Sequence, residues 1–238
     1  MELKLAMSLS PTSDSRSLRA ARHARAALSR ASRRAVVAAA VALGGAFLMG
    51  SNAFAAPAVG QQAPDFVAVD TNGAKHKLSD FAGKFVVLEW TNPGCPFVRK
   101  HYGSGNMPAT QKAATAKGVV WLAINSTATD AGDYKAPAAM AQWMAGHKAA
   151  ATATLMDSDG KVGRAYGART TPHMYIVDPA GTLVYAGGID NKPSSNPADI
   201  ASAINHVKVA LAETTAGKPV TTATTRPYGC SIKYSSGA

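Results

Sequence analysis

Cys95 and Cys230 are the only two cysteines in a chain of 238 residues, and the residues around the first suggest what its sulfur could do. Phe85 to Trp90 is apolar, aromatic and β-branched, Asn92-Pro93-Gly94 is a breaker cluster, and Pro96 suits the first position of a helix. Cys95 thus stands where a strand has ended and a helix begins. Unpaired N–H groups and the positive end of a helix dipole stabilise a thiolate there, so the cysteine reads as reactive rather than merely buried. Its chemistry would be attack on a disulfide or a peroxide, giving a mixed disulfide or a sulfenic acid. Cys230 would then resolve that species as a Cys95–Cys230 disulfide, and an outside reductant would reset the pair.

Two other readings of these residues stay open. The cysteines could form one structural disulfide on a non-catalytic domain, which across so long a loop is worth about 4–5 kcal/mol in the chain-entropy picture. They could also join an imidazole, from His101 or His173, in a soft copper-binding site. Neither a C-x-x-C motif nor a paired Cys/His zinc spacing occurs. Asp157-Ser158-Asp159-Gly160 resembles the start of a calcium loop but lacks its remaining acidic ligands, so it reads as a turn.

The domain begins after a leader. Residues 1–55 read as an export signal: a basic Ser/Ala-rich region, Arg33-Arg34, an apolar run from Ala35 to Met49, and Ala53-Phe54-Ala55 as a cleavage site. The adjacent arginines fit a twin-arginine signal. The apolar run is short and Ala/Gly-rich, so no stable membrane insertion is expected. The expected location is periplasmic or otherwise exported. The whole chain carries 25 Lys+Arg against 14 Asp+Glu, but the leader holds 8 and 2 of these, which leaves a net +5 for the rest. Without a basic cluster interleaved with aromatics, nucleic-acid binding is excluded.

Further on, Asp65 to Leu78 reads as a β-hairpin, Phe85–Trp90 as a strand, and Cys95 opens a short helix stopped at Gly103-Ser104-Gly105. A second helical segment runs from Asn106 to about Lys117. Val119–Ile124 is a strand covered on both faces, and Met140, Trp143, Met144 and His147 form the apolar stripe of a helix. Thr154–Met156, His173–Val177 and Leu183–Ala186 are further strands. A last helix is capped by Asn196, with its stripe at Ile200, Ile204, Val207 and Leu211. Residues 56–213 thus form one domain, and 214–238 read as an extended, otherwise unstructured tail carrying Cys230, with a composition that permits movement.

This order of elements resembles the thioredoxin fold with peroxiredoxin-style additions. Gly94-Cys95-Pro96-Phe97-Val98 stands where thioredoxins carry C-x-x-C, with Val98 in place of the second cysteine. Across residues 58–190 the chain resembles the redoxin group of AhpC/TSA-type, peroxiredoxin-like proteins, notably in Asn92-Pro93-Gly94-Cys95-Pro96-Phe97-Val98-Arg99-Lys100-His101-Tyr102 and Gly187-Gly188-Ile189-Asp190. Thr91 lies four residues before Cys95, where the peroxidatic motif of that group places its Ser/Thr three before. The resemblance implies an α/β protein of thioredoxin-like fold, with a central mixed sheet flanked by helices, an N-terminal β-hairpin and an extended C-terminal tail. It further implies a thiol-disulfide oxidoreductase or peroxidase-like antioxidant enzyme that needs no cofactor. The partners would be a thiol/disulfide protein or a hydroperoxide, together with an external reductant. Thr171-Pro172 is then a cis-proline loop facing Cys95. Glu89, six residues before Cys95, is a buried acid of raised pKa that exchanges protons with the sulfur.

Overall fold

Strands β1 (Val67–Asp70) and β2 (Lys75–Lys77) form the hairpin expected at the start of the domain. Its turn is held by Asp70, whose Oδ1 accepts the Asn72 and Ala74 N–H groups at 2.8 and 2.9 Å, while Gly73 takes a φ of 86°. A 3-10 turn (Leu78–Phe81) leads to β3 (Val86–Trp90), α1 (Pro96–Gly103), α2 (Asn106–Thr115) and β4 (Val120–Asn125). After these come α3 (Pro137–Gly146), β5 (Ala153–Met156), α4 (Lys161–Ala165), β6 (Thr170–Thr171), β7 (His173–Val177) and β8 (Leu183–Gly187). A 3-10 turn (Pro197–Ser202), α5 (His206–Thr215) and β9 (Cys230–Ser231) complete the chain. The structure, a computed structural model, describes residues 56–235; the expected export signal, with its twin arginines and cleavage site, lies outside the described residues. No helix among the described residues is long and apolar enough to cross a membrane.

Seven strands form one mixed sheet in the order β2-β1-β5-β4-β3-β7-β8. β3 pairs in parallel with β4 and antiparallel with β7, so it has a neighbour on both sides. This is a thioredoxin-like α/β fold. Every residue of β3 and β4 is buried, as their continuous apolar runs predict for strands covered on both faces. Side chains alternate along β3. Val87 points into the cluster made with α1, α2, α3 and α5, through Val98, Tyr102, Met107, Met140 and Val207. Val86, Leu88 and Trp90 point the other way, against Leu122, Ile124, Tyr166 and Tyr175. Glu89 therefore sits on the same face of the sheet as the helix that Cys95 opens.

Two expectations need correction. The last helix is not continuous: Asn196 caps only the 3-10 turn, and Asn205 caps α5 separately, its side chain accepting from the Lys208 N–H at 3.0 Å. The break is fixed because the Asn191 side chain accepts the Ile204 N–H at 2.9 Å, and Ile204 is left exposed instead of joining the apolar stripe. The tail is likewise not loose. β9 pairs antiparallel with β6, aligning Cys230 with Thr171, and Ile232 and Ala128 N–H groups donate to Arg169 and Lys233 carbonyls at 2.9 and 2.8 Å.

Candidate active site

The loop between β3 and α1 is shaped by Asn92. Its Oδ1 accepts the Gly94 N–H at 2.7 Å, and its Nδ2 donates to Thr127 Oγ1 at 2.9 Å and to Asp133 Oδ2 at 3.1 Å. Gly94 must be glycine here. A Cβ at that position would lie 2.7 Å from both Cβ and Oδ2 of Asp133. The Cys95 N–H closes the turn onto the Asn92 carbonyl at 3.0 Å, and Cys95 is the N-cap of α1 with Pro96 in the first turn.

The thiol of Cys95 is enclosed, with the residue only 1% exposed. It donates to the Thr171 carbonyl at 3.0 Å, and the Thr171–Pro172 bond is cis. Cys230 is the register partner of that same Thr171, so the cis-proline loop brings the two cysteines together, both as free thiols. Burial pushes the Cys95 pKa up, but hydrogen bonding from the Cys230 thiol, the Thr171 side chain and the Val98 and Cys230 backbone groups outweighs it and leaves the pKa lowered. Cys230 moves the opposite way, to about 12, through burial and the hydrogen bond and charge of Cys95. The two thiols thus ionise unequally: the first ionisation belongs to Cys95 and is supported by Cys230 as donor. Replacing Cys230 with Ala removes the leading stabilising contact. The pH midpoint of Cys95 alkylation, lowered in the wild type by that contact, should rise in Cys230→Ala.

Glu89 is fully buried, and its carboxyl group is enclosed by side chains from three elements. Tyr102 Oη donates to Oε1 at 2.8 Å, while Gln111 Nε2 and Trp121 Nε1 donate to Oε2 at 2.9 and 2.8 Å. Burial raises its pKa and these hydrogen bonds oppose the rise without cancelling it. Among the described residues its hydrogen bonds go to these three side chains, not to the Cys95 sulfur. Trp121, Tyr102 and Gln111 were missed by sequence reasoning as partners of an acid, because nothing local marks them. Asn92 and Asp133 were missed as organisers of the cysteine loop. The Asn-Pro-Gly cluster was the available signal for Asn92, while Asp133 lies in an irregular loop.

The histidines are occupied elsewhere. His101 Nδ1 meets Asn106 Nδ2 at 2.9 Å and its Nε2 meets Tyr228 Oη at 3.2 Å. His173 Nδ1 meets the Arg169 N–H and Tyr175 Oη at 3.4 and 3.3 Å. Burial lowers their pKa values to about 4 and about 3. Among the described residues no three His, Cys, Asp or Glu side chains converge as ligands, so the copper reading gains no support from the site.

A cysteine at a helix N-terminus, opposite a cis-proline loop and just past the C-terminal end of an interior strand of this sheet, defines a protein of the thioredoxin-fold class. The AhpC/TSA family model matches residues 59–186, and the chain belongs to that family. No curated protein matches it. Among solved structures it is similar to a hypothetical protein from Sinorhizobium meliloti, at 24% identity over 77% of this chain and 98% of that one, with a TM-score of 0.66. It is also similar to an uncharacterized conserved protein from Geobacillus kaustophilus, at 27% identity over 76% of this chain and 94% of that one, with a TM-score of 0.67.

Proposed function

We propose that the chain is an exported thiol-disulfide oxidoreductase that cycles between a Cys95/Cys230 dithiol and a Cys95–Cys230 disulfide. The observation that carries this reading is the meeting of the two thiols at Thr171, with the Cys95 pKa lowered by the Cys230 thiol itself. In the reducing direction the Cys95 thiolate attacks one sulfur of a substrate disulfide. The substrate S–S bond breaks, and the departing thiolate takes up a proton. Cys230, having given up its proton, then attacks the Cys95 sulfur of the mixed disulfide, expelling the second substrate thiolate and forming Cys95–Cys230. An external dithiol returns two electrons and two protons.

Among the described residues the groups hydrogen-bonded to the Cys95 sulfur are Thr171, Cys230 and a helix-end N–H, with no guanidinium among them, which favours disulfide exchange over peroxide reduction. In this reading Thr171 and Pro172 position the two sulfurs, and Glu89 holds α1, α2 and β4 together behind them. The test is turnover of glutathione disulfide with an external dithiol, run beside hydrogen peroxide. Faster turnover of the disulfide is expected, and turnover of peroxide alone would overturn the assignment.

A further inference from the structure

The tail that carries Cys230 is fastened by a tyrosine on each side of the cysteine. Tyr228 Oη donates to Asp190 Oδ1 and lies 3.2 Å from His101 Nε2, and its ring meets Phe97 edge-on at 5.8 Å. Tyr234 Oη donates to the Ala168 carbonyl at 2.8 Å. Its ring lies against Gly160 and Gly163, where an added Cβ would approach it within 2.6 Å at Gly160 and overlap its hydroxyl at Gly163. The Arg164 guanidinium covers the ring at 4.6 Å. Between the two anchors, β9 fills the edge of β6, and Gly229, at a φ of 135°, lets the chain approach the Thr171 carbonyl more closely than any Cβ would allow.

This arrangement limits what can reach Cys95. An extended segment of another protein cannot add beside Thr171 while β9 occupies that side of β6. A cleft of about 600 Å³, lined by Thr170, Asp190, Arg226, Pro227, Tyr228 and Gly229, runs beside the two residues that precede Cys230. Its size is that of a small-molecule site.

We propose that Tyr228 and Tyr234 determine the specificity of Cys95, pinning the tail strand across it so that low-molecular-weight disulfides react there and protein disulfides do not. This rests on the exchange reading above and names its substrate class.

The test follows oxidation of the reduced protein by two probes, glutathione disulfide and insulin, in the wild type, Tyr234→Ala and Tyr234→Phe. The alanine variant should speed reaction with insulin about tenfold or more, because losing the ring raises the population with the tail undocked. Its rate with glutathione disulfide should change by less than about threefold. Phenylalanine keeps the ring over Gly160 and Gly163 and should stay close to the wild type. If both rates move together, or the insulin rate does not move, the proposal is overturned.

A measurement on the wild type covers the case in which a variant fails to fold. Native Cys95, identified by peptide mass, should react with iodoacetamide and be protected from a bulky polymer-linked maleimide. Equal labelling by the two reagents overturns the proposal. Failure of the exchange reading has a different signature. Neither disulfide would then oxidise the protein, whereas the labelling contrast would still decide whether the tail shields Cys95.

Discussion

Replacing Cys95 with serine is expected to abolish disulfide exchange, lowering turnover of glutathione disulfide by ~10³-fold or more, as loss of a nucleophile does in other covalent enzymes. The cause is local. A serine hydroxyl can occupy the N-cap and donate to the Thr171 carbonyl as the thiol does at 3.0 Å, so the fold should be preserved. It cannot ionise under the same hydrogen bonds, and it cannot form a disulfide with Cys230. Unfolding of Cys95→Ser should therefore match that of the reduced wild type while exchange disappears. A variant that kept more than a tenth of wild-type turnover would move the chemistry to Cys230 and leave the N-cap geometry without a catalytic purpose.

A second large effect is expected at Glu89, and it concerns stability. Glu89→Ala leaves the Trp121 Nε1–H, the Gln111 amide and the Tyr102 hydroxyl without their acceptor inside a buried cluster and opens a cavity beside them, a loss of about 3–5 kcal/mol. Glu89→Gln behaves differently. Its carbonyl oxygen can accept from Trp121 and Gln111, its NH₂ can donate to Tyr102 Oη, and the buried Thr91 hydroxyl, which makes no hydrogen bond among the described residues, is available to Tyr102. Stability at neutral pH should then stay within about 1 kcal/mol of the wild type.

The two variants also separate in pH dependence. The folded-state pKa of Glu89 is raised above its ordinary value near 4.5, so the carboxyl group contributes most below that value and its contribution is lost as pH rises through the folded pKa. Glutamine has no such loss. Denaturant unfolding across pH should accordingly show Glu89→Gln gaining on the wild type toward alkaline pH. If the wild type gains instead, the burial argument at Glu89 is wrong.

The cysteine loop was legible because its determinants are local. A breaker cluster, a helix-starting proline and the strand before them fix where Cys95 stands, and the structure places it as the N-cap of α1. The two central strands were legible for a similar reason, since strands buried on both faces lose their alternation and become continuous apolar runs. The split in the last helix was not. Ile200, Ile204, Val207 and Leu211 keep helical spacing, and only the long-range bond from Asn191 to the Ile204 N–H makes Asn205 a second cap. The docking of the tail was hidden still further from the pattern. Its Thr-, Pro- and Gly-rich stretch has no periodicity, and the groups that fasten it are single tyrosines meeting Asp190, Ala168, Gly160 and Gly163 from far along the chain. The environment of Glu89 follows the same rule: the acid could be picked out, while its three partners come from α1, α2 and β4.

The most direct test of a working dithiol is an equilibrium redox titration of residues 56–238, with thiols trapped by alkylation in buffers of defined potential. A Cys95–Cys230 couple between roughly −120 and −270 mV, the range of catalytic dithiols, is the predicted result. A couple below about −300 mV, or two thiols that never join, would contradict it and leave the cysteines either a structural staple or unconnected.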